Sequence, residues 1–431
     1  VCRKKQGGTM CPSYMATLDE RHATRGRGNA LRLAITGQLG DARESHAPDW
    51  NDPETLETLR LCLSCKACKS ECPTNVDIAQ YKAEYLAQSY KAAGEIPLKA
   101  RVFGHVRLLN RIGSMFAPIS NWVANSALHR AIINPLLGLD TRRTLPAFER
   151  SLFRQARGAF PDARRSAEGL EIGEAGAPTV ALFADCFATY NEPEIGLATI
   201  RVLRACGYRV AIVDAGCCAR ALISTGCLAD AQRTVSATSA RLMRAVDSLG
   251  ARAVVVCEPS CLSSIKDDWR KLKPASDEAS TAAADLDRLA GMAYLPEDFL
   301  DRHWEEHPRR PAFTHSPDGA AVVLHGHCHQ KALWGAESSA RMLRRIAGDA
   351  VKVLDTGCCG MAGSFGYTSD RYDLSMKIGE LAVFPAARAL GPGDTLVAPG
   401  TSCRHQIHDG AQREALHPME FIAQRLASGA E

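Results

Sequence analysis

The chain has no run of 18 or more apolar residues, the length that a membrane-spanning helix needs. The stretch Ile112–His129 comes nearest, because it holds no Lys, Arg, Asp or Glu. Pro118, two Asn and several Ser interrupt it. It reads either as a buried helix or as a segment lying on a membrane surface, and the buried helix is the expectation. Excess charge is also missing. The 52 basic and 48 acidic residues leave a net charge of +4, too little to indicate a nucleic-acid partner. No charged n-region, apolar h-region and cleavage site open the chain, so it shows no signal peptide. Its first residue is Val1 rather than Met, which suggests a fragment of a longer polypeptide that begins inside a motif. There is no G-x-G-x-x-G fingerprint and no other recognisable flavin-binding motif. At 431 residues, 46% apolar and 23% charged, the remainder describes an ordinary globular chain with room for two or three domains.

Cysteine is what the chain has in abundance, with 17 residues. They fall into tight groups: Cys62, Cys65, Cys68 and Cys72; Cys217 and Cys218; Cys257 and Cys261; Cys358 and Cys359. A disulfide framework does not need such clustering, whereas a metal site does. The thiolates therefore read as ligands in a reducing compartment. Cys206 and Cys227 stand in helix-like stretches and read as small core residues.

Residues 1–75 are basic and cysteine-bearing, and 76–160 show helical periodicity, as in IAQYKAEYLAQSYKAAG. Residues 161–178 are charged, rich in Gly, Pro and Ala, and aperiodic, which reads as a linker. From 179 short apolar runs alternate with helical stretches, which predicts a parallel sheet. Residues 270–318 are polar and read as an insertion or linker. Then the pattern returns. AAVVLHGHC parallels TVALFADC, AVKVLDTGCCG parallels YRVAIVDAGCCA, and DTLVAPGTSC parallels RAVVVCEPSC. Cys186 aligns with Cys328, Cys217 with Cys358, Cys218 with Cys359 and Cys261 with Cys403, at offsets of 142, 141, 141 and 142 residues. That near-constant offset predicts an internal duplication. Each cysteine falls at the carboxyl end of a predicted strand, where open α/β sheets hold ligands.

Residues 62–73, CLSCKACKSECP, match C-x2-C-x2-C-x3-C-P. Two-residue spacers let one loop turn three thiolates toward three irons of a cubane, while the fourth points to a second cluster. Structural zinc instead favours two separated C-x2-C knuckles. In two-cluster ferredoxins the partner run also ends in Cys-Pro, which Cys11-Pro12 supplies. Cys62, Cys65, Cys68 and Cys11 are thus the expected ligands of one cluster, with Cys72 and Cys2 in part of a second. In the later repeats, vicinal pairs such as Cys217-Cys218 suit a cluster, because adjacent thiols diverge and reach two metals. The first repeat offers Cys186, Cys217, Cys218, Cys257 and Cys261; the second offers Cys328, Cys358, Cys359 and Cys403, with Pro399 where the first has Cys257. His325, His327 and His329 surround Cys328 and read as orienting or proton-moving groups, or else as replacement ligands.

CRKKQGGTMCPSY, ERHATRGRGNALR and CLSCKACKSECPTNVD resemble the iron–sulfur region of FAD-linked D-2-hydroxyacid dehydrogenases of the D-lactate and D-2-hydroxyglutarate type. NEPEIG, GCC, EPSC, GHCHQKAL, GCCGMAGSFGY and GTSCRHQI resemble the paired cysteine-rich CCG repeats of the same proteins. Such repeats also mark the glycolate oxidase iron–sulfur subunit, the anaerobic glycerol-3-phosphate dehydrogenase C subunit and heterodisulfide reductase. The resemblance implies an α-helical ferredoxin-type domain (1–90), a helical connector (91–160) and a duplicated parallel α/β cysteine-rich domain (179–269 and 320–425). It further implies 4Fe-4S clusters, one in the loop 62–68, a second nearby and one or two in the repeats, with FAD in an upstream oxidase domain. Electrons would pass from flavin to a quinone, cytochrome or other acceptor, in the cytoplasm or on the inner face of its membrane. Two departures stand out: the first repeat reads Cys217-Cys218-Ala219, and the second keeps only Cys403 of a C-x2-C. Either each repeat binds a cluster or one cluster lies between them. A stand-alone reductase like heterodisulfide reductase and a structural zinc protein are the competing readings.

Overall fold

The computed structural model describes residues 2–39, 46–272, 279–314 and 319–427. Its N-terminal part is helical: Pro12–Thr17, Thr24–Ile35, Pro53–Arg60, Ala67–Glu71 and Ile78–Ala93. Local chemistry sets the ends. Asp52 accepts the Thr55 N–H at 2.7 Å ahead of Pro53, Asp77 accepts that of Gln80 at 3.2 Å, and Gly94 stops the last helix at φ 75°. The apolar faces meet around Met10, Leu31, Leu59, Ile78 and Tyr85, and share that core with Cys11, Cys62 and Cys68.

Three short helices follow Leu98–Gly104: Val106–Met115, Ala117–Asn125 and Ala127–Leu137. The expected buried helix over 112–129 is not what forms. Ile112, Met115, Ile119, Trp122 and Leu128 are 53%, 68%, 63%, 74% and 74% exposed. Asn110, Gly113 and Ser114 take the inward face instead. There Asn110 donates to Asn191 Oδ1 at 2.6 Å and Ser114 to the Glu149 carbonyl at 2.6 Å. Periodicity identifies an apolar face; it does not say whether the rest of the protein covers it.

The first sheet has the order β1-β2-β4-β3-β5-β6, with β1 Arg164–Ser166, β2 Gly169–Ile172, β3 Thr179–Phe183, β4 Arg209–Val213, β5 Ala253–Val255 and β6 Ala293–Tyr294. Strands β3 to β6 are parallel, as the alternation of strands and helices predicts. Strands β1 and β2 form an antiparallel hairpin against β4. The linker expected over 161–178 is therefore an edge hairpin. Leu170 and Ile172 point into the core, while Glu171 pairs outward with Arg209 at 3.2 Å. Its charged outer face hid the strand. Residues 270–318 are not a mere insertion either. They supply the helix Ala279–Met292, β6 and the helix Pro296–Arg302, whose Phe299 and Leu300 are fully buried. Residues 273–278 and 315–318 of that stretch lie outside the described residues.

A second, three-stranded parallel sheet has the order β8-β7-β9, with β7 Val322–Leu324, β8 Val351–Val353 and β9 Thr395–Val397. Both sheets place the first strand of the set in the centre, flanked by the next two: β4-β3-β5 and β8-β7-β9. One continuous core joins them, with Leu203, Val210, Val322, Leu343 and Phe421 in contact.

Candidate metal centre

All 17 cysteines are free thiols, and most of them converge in three groups. The first is built by the loop entering the helix Ala67–Glu71. Ser64 and Lys66 adopt φ 52° and 62°, a left-handed conformation that costs non-glycine residues roughly 1–3 kcal/mol. It turns the loop so that Cys62, Cys65 and Cys68 line one pocket with Cys11. Cys11 stands at φ 56° ahead of Pro12. Thr24 fixes it from both its N–H, 3.0 Å from Sγ, and its hydroxyl, at 2.9 Å.

Buried cations surround this pocket. Arg27 lines it and binds Ser13 Oγ at 2.7 Å, Lys82 donates to the Cys62 carbonyl at 2.7 Å, and Lys66 reaches Asp267 at 2.7 Å and also Asp268. Burial pushes the Cys68 thiol up to about 12 and raises Cys11 and Cys65, and neighbouring thiols add to each shift. Metal binding at such thiols displaces their protons. Four thiols facing one cavity, under cations that offset an anionic cluster, fit an iron–sulfur cubane. Cys2 and Cys72 stand apart from the pocket, half-buried at the margin of the same core. Glu71 draws their segments together by accepting the Thr9 N–H at 2.7 Å and pairing with Lys4 at 3.4 Å.

The second group lies at the carboxyl ends of β3, β4 and β5. Cys218 Sγ is 3.1 Å from Cys261 Sγ. Cys217 and Cys261 beside it hold the Cys218 thiol well below the ordinary thiol range, and Cys186 helps to raise that of Cys261. Ala219 takes φ 61° where the second repeat has Gly360 at φ 97°, so the departure from glycine leaves the turn intact. Trp269 Nε1 and Ser264 Oγ both donate to the Cys218 carbonyl, at 2.9 and 2.7 Å. The third group has the same position on β7, β8 and β9. Cys358 beside it lowers the Cys328 thiol to about 6, and Cys358, Cys403 and His325 together lower the Cys359 thiol.

Of the three histidines, His329 is committed at both nitrogens, to Ser263 Oγ at 2.9 Å and to the Ser64 carbonyl at 3.0 Å. His327 caps its helix, its Nδ1 accepting the His329 N–H at 3.1 Å. His325 binds Thr356 through Nδ1 at 2.6 Å, while its buried Nε2 has no hydrogen-bond partner among the described residues. Cys257 sits away from the second group, its sulfur 3.5 Å from Thr199 Oγ1. Cys206 and Cys227 are buried at a helix C-cap and N-cap, as small core residues.

The three groups adjoin. Cys65 of the first feels the charge of Cys328 of the third. The Ser64 carbonyl receives Arg220, which follows the second group, at 3.1 Å, as well as His329, which follows the third. Glu258 bridges the two repeats, accepting the Ser260 N–H at 3.1 Å and the Thr401 N–H at 2.9 Å. Glu192 and Arg404 lock the same seam through two contacts at 2.8 and 3.2 Å. Sequence reading quoted NEPEIG, EPSC and GTSCR but gave Glu192, Glu258 and Arg404 no role, and it missed Ser64, Arg220, Lys66 and Lys82. The signal available was that these residues lie within or beside the cysteine motifs.

Burial alone would raise Glu192, yet Arg404 beside it wins and brings it down to about 2. A carboxylate depressed in this way contributes its stability above its unfolded value and loses it as pH falls through the folded one. Glu192→Gln is therefore expected to lower unfolding free energy at pH 7 by about 3 kcal/mol. The deficit should shrink from pH 4.5 toward pH 2, the range between the ordinary value and the shifted one. Urea unfolding across that range measures it. A constant deficit would remove the ion pair as its cause.

Residues 1–77 match the 4Fe-4S dicluster domain, and residues 180–266 match the cysteine-rich CCG domain. The chain carries both. The C subunit of the anaerobic glycerol-3-phosphate dehydrogenase of Escherichia coli (strain K12) is 27% identical over 331 residues, which cover 77% of this chain and 78% of that protein. D-2-hydroxyglutarate dehydrogenase of the same strain is 24% identical over 448 residues, or 96% of this chain and 41% of that one. The probable glycolate oxidase iron-sulfur subunit of Bacillus subtilis (strain 168) is 23% identical over 424 residues, 94% and 87%. This chain is thus an iron–sulfur protein related to subunits or parts of oxidoreductases. It spans about two fifths of the length of the D-2-hydroxyglutarate dehydrogenase.

Proposed function

We propose that the chain is the iron–sulfur electron-transfer module of an FAD-linked D-2-hydroxyacid dehydrogenase and relays electrons from flavin to a quinone, cytochrome or other acceptor. The observation that carries this reading is the adjacency of the three cysteine groups around the Ser64 carbonyl. Cys11, Cys62, Cys65 and Cys68 would hold one cluster, with Cys2 and Cys72 contributing to a second. Cys186, Cys217, Cys218 and Cys261 would serve the first repeat, and Cys328, Cys358, Cys359 and Cys403 the other. Bound there, iron–sulfur clusters accept and release single electrons. The protein's own part is to hold the thiols, to offset their charge with Arg27 and Lys82, and to exclude water. The shared strand order of the two sheets supports descent from a duplicated repeat. Structural zinc is disfavoured, because it favours two separated C-x2-C knuckles, whereas Cys62, Cys65, Cys68 and Cys72 form one compact run.

The division of labour is testable. Removing the α-hydrogen of a hydroxy acid as hydride needs a two-electron acceptor such as flavin, for which this chain has no recognisable motif. With clusters reconstituted, it is expected to show no turnover of D-lactate or D-2-hydroxyglutarate with a dye acceptor until a flavoprotein partner is added. Turnover by the chain alone would place the catalytic site within it.

A further inference from the structure

Lys66 stands inside the loop of the first thiol group, between Cys65 and Cys68, and its ammonium is buried against a distant part of the chain. It reaches Asp267 at 2.7 Å and also Asp268, 201 and 202 residues further on, with 1% of its side chain exposed. The contact belongs to a network. Lys69 also pairs with Asp267, and Lys271 pairs with Asp267 at 3.0 Å and with Asp77 at 2.6 Å. Asp77 in turn caps the helix Ile78–Ala93, whose Ile78 lines the pocket of Cys11, Cys62, Cys65 and Cys68. Among the described residues Lys66 is the only ion-pair partner of Asp268, and Asp268 Oδ2 is buried with no hydrogen-bond partner. Buried ion pairs are poor sources of stability, because desolvation offsets their attraction. What these charges supply is a fixed geometry between the loop and the first repeat.

The two aspartates end a turn of unusual form. Ser264–Asp268 is a π-helical turn, closed by the Trp269 N–H on the Ser264 carbonyl. In an α-helix, side chains five residues apart point roughly 140° away from each other. The wider turn brings Ser264 and Trp269 to one side, where Ser264 Oγ and Trp269 Nε1 both donate to the Cys218 carbonyl, at 2.7 and 2.9 Å. One turn thus grips the vicinal cysteines of the first repeat and the loop of the first thiol group. The second repeat has no such device. At the offset of 142 residues Asp409 aligns with Asp267, but it lies on the regular helix Thr401–Ala411 and pairs with Arg143 at 3.0 Å.

We propose that this turn couples metal loading at two sites, with Lys66 as the positioning residue: filling the pocket of Cys11, Cys62, Cys65 and Cys68 orders the site of Cys186, Cys217, Cys218 and Cys261, and the reverse. The proposal rests on the ligand sets given above. With the four thiols of the pocket held together, Ser64 and Lys66 keep their left-handed conformation. Lys66 Nζ then stays against Asp267 and Asp268, the aspartates hold the turn, and the turn holds the Cys218 carbonyl. Such coupling is reciprocal, since each site changes the affinity of the other by the same factor.

The test is hydrogen exchange, read by mass spectrometry, on the full chain reconstituted with iron and sulfide. Cys65→Ser should speed exchange over residues 262–271 by about tenfold, and Cys217→Ser should do the same over residues 62–68. In a background of Lys66→Met with Asp268→Leu, both responses should fall below about twofold. Apolar side chains of similar size replace a buried ion pair without loss of stability, so this background should keep the melting temperature of the wild type. Asp268→Asn, which leaves Asp267 on Lys66, is a milder second background in which both responses should shrink. Responses of equal size with the pair removed, or no response in either cysteine variant, overturn the proposal. Iron content of the same samples separates the two readings. Full iron in Cys65→Ser overturns the ligand assignment and the coupling with it, whereas lost iron without faster exchange overturns the coupling alone.

Discussion

Cys65→Ser is expected to remove one complete cubane, about four iron atoms per chain, together with its absorbance and its EPR signal after reduction. Cys65 belongs to the loop whose left-handed Ser64 and Lys66 direct three thiols into the pocket shared with Cys11. A Ser hydroxyl can occupy the space, but it stays protonated far above the pH at which a metal-assisted thiol ionises, so it is a poor iron ligand. Cys62→Ser should behave alike. Cys65→Ser should have one effect that Cys62→Ser lacks. Cys65 lies nearest the third group, within reach of the charge of Cys328, so its loss should also perturb the signal of iron bound in the second repeat. Thermal stability should fall in both variants, because a ligand that binds only the folded state stabilises it. Unchanged iron per chain would sink the ligand assignment.

The cysteine spacing made this loop legible, and the 141 to 142 residue offset anticipated two sheets of like order, with thiols at the carboxyl ends of their strands. These features are local or strictly periodic, so they survive in a single sequence. What escaped depends on contacts made at a distance. The hairpin β1–β2 has strands of three and four residues with charged outer positions, and only its pairing with β4 makes it sheet. The helix Pro296–Arg302 looks polar because Glu297, Asp298 and Asp301 are in it, yet all three carboxylates are buried. Ser339 sits 3.1 Å from both Glu297 and Asp298. Its single hydroxyl proton can serve only one of them. Burial raises the Glu297 carboxyl, and the charge of Asp298 beside it adds to the shift. The histidines near Cys328 were unreadable for a similar reason. Their partners Ser64, Ser260, Ser263 and Thr356 come from three other parts of the chain.

Whether the two repeats hold separate clusters is decided by comparing Cys217→Ser, Cys358→Ser and the double variant. The thiols act on one another within their own groups: Cys218 lies 3.1 Å from Cys261, and Cys358 and Cys403 together lower Cys359. Between the groups stand Glu258, Ser260 and Ser263 of one repeat and His327, His329 and Thr401 of the other, already hydrogen-bonded to one another. A cluster shared across that seam would have to displace these side chains. Separate sites require only that each group open enough to admit metal. Each single variant is therefore expected to lose the iron of one repeat, and the double variant the sum of the two losses. A double variant that loses no more iron than either single variant would establish one shared cluster. Cys257→Ser is the internal control. Its sulfur touches Thr199 rather than another thiol, so its iron content should equal that of the wild type. Its cost should be confined to a buried hydroxyl beside Thr199, about 1–3 kcal/mol by urea unfolding. Loss of iron from Cys257→Ser would return Cys257 to the ligand set and unseat the grouping on which the comparison rests.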